Sequence, residues 1–253
     1  MATYNKRGYK PPKPTAEEEE FEVVTGSETA EVFNSLDSSA NKIGTWFTLN
    51  QTKIFYGIGA LAVAVVGYLA YQNFVVEPKE NEAANEMFQV QQYYEQAVNG
   101  TASDSLYRLA LNGGEGKLGF LGIAEQYSGT QAAKNAHYYA GTAYLNLGQY
   151  KEAIDHLAQF DSDDMFLKSM SLGAIGDAFV ELNQYEDAFE YYKRAANHTI
   201  NDFTTPRYAY KAGLIALELG KKNEALKFFT DIKENYKDAV EAANIDVYLG
   251  MAQ

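Results

Sequence analysis

The chain has 253 residues, a formal net charge of −13 and no cysteine, with 20 Tyr and 14 Phe against a single Trp. The negative balance argues against a nucleic-acid partner, because phosphate neutralisation needs clustered Lys and Arg. Lack of cysteine excludes disulfides, thiolate metal ligands, cysteine nucleophiles and a lipid-modified cysteine, and it leaves the redox compartment open.

Residues 1–28 read as a disordered tail. They open basic at Lys6, Arg7, Lys10 and Lys13, pass through Pro11, Pro12 and Pro14, and turn acidic at Glu17, Glu18, Glu19 and Glu20. Such a stretch buries too little apolar surface to offset the entropy lost on ordering. In residues 29–51, Phe33, Leu36, Ala40, Ile43 and Phe47 recur at spacings of three and four between polar residues. That period predicts an amphipathic helix. With Trp46 and Phe47 at its far end, it either lies in a membrane interface or packs on a partner.

Residues 54–76 carry no charged side chain over about 23 positions, against the ~20 needed to cross a hydrocarbon core. A buried core helix is the alternative, but apolar runs in such helices rarely exceed about 14 residues. The run also begins behind a long acidic segment and outlasts a signal h-region, so a single transmembrane helix is expected rather than a cleaved leader. Tyr56, Tyr68 and Tyr71 suit interfacial anchoring. Gly57, Ala60, Ala64 and Gly67 fall along one helical face. Small residues at this spacing let membrane helices approach, so the stripe reads either as a face for a partner helix or self-association, or as ordinary membrane-helix composition. Lys42 and Lys53 precede the run and Lys79 follows it. This modest asymmetry favours a cytoplasmic N-terminus and a C-terminal domain outside.

After Pro78 the pattern becomes all-α, predicting a helical-repeat solenoid over 82–253 with its clearest copies in 134–237. Glu82 to Ala97 has helical spacing, closed by Asn99 and Gly100. Segments beginning at Lys134, Ser169 and Pro206 superpose. Gly141, Gly176 and Gly213 coincide in each first helix; Ala153, Ala188 and Ala225 coincide in each second helix, followed four residues on by Leu157, Tyr192 and Phe229. Gly148, Asn183 and Gly220 occupy each turn and tolerate positive φ. Tyr144 and Phe179 match one another, with Ala216 in the third copy. Small residues at the crossing let paired helices pack closely while a large side chain fills the space beside them.

On these residues the chain resembles the tetratricopeptide repeat family, whose repeat of about 34 residues has Gly, Tyr, a turn Gly, Ala and Phe at such offsets. The usual closing Pro is absent from all three copies. Degenerate pairs are expected over 82–128, and a solitary capping helix over 239–252. The order of amphipathic lead-in, one span and degenerate repeats is also similar to the inner-membrane ancillary subunit of the bacterial Sec translocon. That resemblance implies the bacterial inner membrane, a periplasmic repeat domain, and a place among Sec translocon subunits and a membrane-anchored periplasmic chaperone.

Stacking as in the repeat family implies a groove lined by first-helix residues Tyr138, Thr142, Leu145, Asp177, Val180, Tyr210, Leu214 and Leu217, suited to a peptide or a partner helix. Tyr138 and Thr142 stand where carboxylate-clamping repeats carry basic and Asn residues, which argues against a C-terminal carboxylate clamp. No catalytic residue, cofactor site or metal site is expected. Gly114-Glu-Gly-Lys-Leu-Gly119 fits G-x-G-x-x-G, but Ser105 to Leu111 before it reads as a helix, whereas a dinucleotide site needs a strand there. His137, His156 and His198 are scattered without ligand spacing, and Asp161, Asp163 and Asp164 lack the further oxygens of a calcium loop. The reading is a non-enzymatic, membrane-anchored interaction scaffold; the alternatives are a cytoplasm-facing adaptor and an envelope enzyme using the glycine loop.

Overall fold

Apolar residues at spacings of three and four, with Gly and Asn between the runs, make this chain a succession of helices. The computed structural model describes residues 28–100, 103–114 and 116–253. The expected tail, but for its last residue, lies outside them. By internal packing the chain divides into two units, one ending at Val66 and one running Gly67–Gln253.

The first unit is the greater part of helix α1, Glu28–Tyr71. Two segments were expected here, an amphipathic one and an apolar one. They form one helix, because Gln51, Thr52 and Lys53 between them are polar without being helix breakers. Leu36, Ile43, Trp46 and Phe47 are exposed, as are Phe55, Ile58, Leu61 and Val63. Gly57, Ala60, Ala64 and Gly67 are exposed too, and a Cβ built on Gly57 or Gly67 meets nothing within 4 Å. Among the described residues one helix is long and apolar enough to cross a membrane, and none of its most apolar window is buried.

The second unit opens with the last residues of α1 and continues in a π-helical turn, Gln72–Val76, closed by Glu77 N–H donating to Gln72 O. Pro78, in the first turn of α2 (Glu77–Asn99), supplies the cause. Its ring clashes with the carbonyl four residues back, and the widened turn relieves that clash. Then follow α3 (Ser103–Asn112), the strands β1 (Gly113–Gly114) and β2 (Lys117–Leu118), and α4 (Phe120–Gln126). The strands are a departure from the all-helical expectation. They pair antiparallel, Gly113 with Leu118 and Gly114 with Lys117. Gly113 has φ +80°, and a Cβ there would stand 2.1 Å from Lys117 O, so only glycine fits.

Three helix pairs come next: α5 (Gln131–Asn146) with α6 (Tyr150–Gln159), α7 (Met165–Glu181) with α8 (Tyr185–His198), and α9 (Thr204–Glu218) with α10 (Lys222–Asn235). The expected capping helix is shorter than 239–252: a 3-10 turn, Val240–Ala242, precedes α11, Ile245–Ala252. Each pair turns through the same device. Gln149, Gln184 and Lys221 donate back to Tyr144, Phe179 and Ala216, while Gly148, Asn183 and Gly220 donate to Leu145, Val180 and Leu217. This is the Schellman arrangement, which requires positive φ at the turn residue. Gly148 and Gly220 have φ 71°, and Asn183, at 58°, is the only non-glycine with positive φ among the described residues.

The coincident glycines explain the packing. A Cβ on Gly141 would lie 2.5 Å from Leu157 Cγ, on Gly176 2.7 Å from the Tyr192 ring, and on Gly213 2.5 Å from the Phe229 ring. Each first helix is thus notched where the second helix inserts its large residue. Burial forms two apolar clusters, one from Ala83 to Ala143 and one from Leu172 to Ala252. In the first, Tyr94 of α2 meets Tyr107, Phe120 and Tyr139 edge-on, and Phe120 stacks on Tyr139 at 5.2 Å. The tyrosine excess is spent on such contacts.

Gly176→Ala is expected to lower unfolding free energy by about 1–3 kcal/mol, the usual cost of an extra methyl in a filled core. Urea unfolding measures this, and an unchanged midpoint would mean that α7 and α8 can part without loss.

Candidate functional site: the inner face of the repeats

The first helices of the pairs present Tyr138, Thr142 and Leu145 on α5, Asp177 and Val180 on α7, and Tyr210, Leu214 and Leu217 on α9. All eight are half-buried. They do not form one uninterrupted trough.

At the α2 end the face is occupied from within. Tyr94 of α2 donates its hydroxyl to Thr142 Oγ1 at 3.0 Å, and Thr142 donates to the carbonyls of Tyr138 and Tyr139. Tyr138 packs on Phe160 at 5.1 Å and on Tyr139 at 5.7 Å, and burial pushes its phenol up to about 12. Both residues therefore serve the join between α2, α5 and α6.

Further along, Leu145, Asp177 and Val180 line a depression of about 300 Å³ with Tyr150, Glu181 and Tyr192. A second cavity, about 450 Å³, is lined by Tyr210 and Leu214 together with Arg207, Lys211, Val240, Glu241, Asn244 and Tyr248. Leu217 lines neither and leans on the second apolar cluster. One ion pair is shared between the two hollows: Lys211 Nζ donates to Asp177 Oδ1 at 2.6 Å. Tyr192 donates to the same oxygen at 2.5 Å. Burial, then the Asp177 charge and bond, hold the Tyr192 phenol far above its ordinary range. The pair is about one-third exposed, so solvent screens it to roughly 1 kcal/mol or less. Its effect is positional, tying α7, α8 and α9 together across the inner face.

The larger hollow has aromatic walls. Tyr210 meets Tyr248 at 5.2 Å, edge to face, and burial followed by the Tyr248 hydrogen bond raises the Tyr210 phenol to about 12. Arg207 is exposed at its rim and has no ion-pair partner among the described residues. A volume of this size takes an inserted side chain, and the Tyr rings with Arg207 and Lys211 suit an aromatic or acidic one. The sequence reading missed Arg207, Lys211 and Tyr248. Arg207 and Lys211 are spaced i, i+4 on α9 beside Tyr210, a signal that was there to find; Tyr248 depends on how α11 folds back.

The described residues of the glycine motif include Gly114 of β1 and Lys117 and Leu118 of β2, and β1 follows a helix rather than a strand. Among the described residues no three His, Asp or Glu side chains form a group able to hold a metal. The histidines are not all scattered, however. Across the α5–α6 hairpin, His137 Nδ1 and His156 Nδ1 stand 3.2 Å apart, and Tyr144 stacks on His156 at 5.4 Å. One ring must donate and the other accept, so at least one is neutral.

With this geometry in place, comparison with known families gives one result. Residues 135–163 and 208–239 match a family described as Tetratricopeptide repeat, and residues 171–197 match a second family of the same description. The chain carries tetratricopeptide repeats. The three matched stretches are the three pairs α5–α6, α7–α8 and α9–α10, and such repeats mediate protein–protein interaction. No curated protein matches the chain.

Burial lowers the pKa of both His137 and His156; the neighbouring ring lowers His137 further, while Asp155 partly offsets the shift at His156. The unfolded chain then binds more protons below its ordinary histidine value of about 6.5. Stability conferred by the neutral pair is present above that pH and lost as pH falls towards the lowered folded values. Denaturant unfolding from pH 7.5 to 5 should show this fall, and His156→Gln should flatten it.

Proposed function

We infer that this protein is a membrane-anchored interaction scaffold: the run 54–76 crosses a bacterial inner membrane once, with the N-terminus in the cytoplasm. The repeats then face the periplasm and bind protein segments on their inner face. The observation that carries the reading is the pairing of two features in one chain. One is a long apolar helix whose most apolar window is wholly unburied. The other is a set of tetratricopeptide repeats whose inner face holds two partly apolar hollows.

Unburied apolar side chains over this length are costly in water, at about 25 cal/mol per Å², and are removed from it by a bilayer. Lys42 and Lys53 on one side of the run and Lys79 on the other support the orientation. The order of elements supports a finer role, as an ancillary factor in Sec-dependent translocation or envelope biogenesis. Its partners would be translocon subunits and a membrane-anchored periplasmic chaperone. The stripe Gly57, Ala60, Ala64 and Gly67 supplies a face for a neighbouring span or a second copy.

Because the chain has no cysteine, Lys222→Cys on the exposed start of α10 gives a single reporter. An impermeant maleimide should label it in intact spheroplasts. Labelling only after lysis would overturn the periplasmic placement in favour of a cytoplasm-facing adaptor. Proteins retained by the full chain from gently solubilised membranes should include translocon subunits; their absence would remove the translocation role and leave the scaffold.

A further inference from the structure

The second unit has two edges: one formed by the turns within helix pairs, the other by the connections between pairs. Helices α7 and α8 are antiparallel about the turn 182–184, and α8 and α9 about the link 199–203. The start of α7, the end of α8 and the start of α9 therefore share the second edge. The start of α5 belongs to it as well, because α5 and α6 pair in the same way. So does the start of α2: Lys79 Nζ donates to Ser128 O at 2.9 Å, and Gln131 N–H donates to Glu80 Oε1 at 2.8 Å. Tyr94 meets Thr142 further along, so α2 and α5 run parallel.

This edge carries large apolar side chains in the open. Met165 and Phe166 at the start of α7 are 54% and 47% exposed, and Ile200 and Phe203 in the α8–α9 link are 67% and 58% exposed. The opposite turns within the repeat pairs, 147–149, 182–184 and 219–221, have no such residue, although Val98, near the end of α2 on that side, is 56% exposed. Nothing in the fold requires this asymmetry, since side chains at loop tips are ordinarily polar.

We propose that the inter-pair edge, through Met165, Phe166, Ile200 and Phe203, rests in the headgroup layer of the bilayer that the apolar run enters. The proposal depends on the membrane-span reading above. Within this unit the exposed residues Tyr68, Leu69, Tyr71, Phe74 and Val75 lead directly into α2. Glu80, the last contact with the edge, follows Val76 by four residues, or about 6 Å of helix rise. A bilayer of about 40–45 Å with a core near 30 Å has headgroup layers of comparable thickness on each side. The start of α2, which belongs to this edge, thus follows directly on the exposed residues 68–75, and an edge held at that level would stand at interfacial depth, where Phe, Ile and Met side chains insert.

The charges at the edge, which are of both signs with Arg207 exposed in the first turn of α9, indicate the headgroup. Asp161, Asp163 and Asp202 lie in these links, whereas Asp164 accepts from the Phe166 and Leu167 N–H groups at 2.9 and 3.0 Å, and Lys168 stands 3.6 Å from Asp161. Such an edge suits zwitterionic lipid, whose cationic choline or ethanolamine groups lie outermost.

The test uses the full chain in phosphatidylcholine nanodiscs, with a bimane on a single cysteine at Leu61→Cys, Phe166→Cys, Phe203→Cys or Gln184→Cys. Half of each preparation contains lipid bearing a nitroxide. Labels at 61, 166 and 203 should shift to the blue and lose emission to the nitroxide, while the label at 184, on the opposite edge, should do neither. Quenching at 61 but not at 166 and 203 would overturn the proposal and leave the span standing. Failure at 61 would remove the span reading and the edge with it. Blue-shifted but unquenched labels at 166 and 203 would mean that protein covers the edge, and would also overturn it.

Discussion

The close approach of two helices at one glycine per repeat is the constraint from which the rest follows. Gly141, Gly176 and Gly213 let Leu157, Tyr192 and Phe229 lie flat against the backbone of the partner helix. A methyl at any of these positions occupies space already filled, and the hairpin has to open. Because the same notch recurs at the same register, the three pairs share one crossing geometry and stack in series. The inner face exists because its three helices are held at that spacing. The turn residues Gly148, Asn183 and Gly220 support the same geometry by reversing the chain in the fewest residues.

Tyr192 shows how packing shapes the inner face. Its ring fills the Gly176 notch, and its hydroxyl reaches Asp177 on the inner face. Asp177 also holds Lys211 from the next pair, so the residue that locks one hairpin also fixes its neighbour. The bond divides the face into two hollows with different walls. One is lined by Leu145 and Val180, the other by Tyr210, Tyr248, Leu214 and two basic side chains. A ligand spanning both must cross a charged ridge, which favours an extended segment offering separate side chains over a smooth apolar helix.

Local pattern carried much of this into the sequence. The three pairs were legible because glycine, alanine and turn positions repeat at fixed offsets, and each of those offsets has a steric cause. The apolar run was legible from length and charge alone. Contacts between elements distant in sequence were not. Thr142 reads as groove-facing by register, yet α2 returns to give it Tyr94 as a partner. His137 and His156 are 19 residues apart and look unrelated until the hairpin closes. The β1–β2 pairing rests on glycines that any loop tolerates, and the π-turn ahead of Pro78 is a response to strain rather than a preference of Gln72–Val76. In each case the missing information was a long-range contact or a local compromise, neither of which periodicity encodes.

The inner face of the repeats is the surface proposed to hold protein. The most direct measurement places the photocrosslinker p-benzoylphenylalanine at Leu214, in the larger hollow, and in a second variant at Lys227, exposed on the outer helix α10. Irradiation of intact cells should yield a discrete protein adduct from Leu214 and none from Lys227. Equal adducts at both positions, or adducts at Lys227 alone, would contradict it.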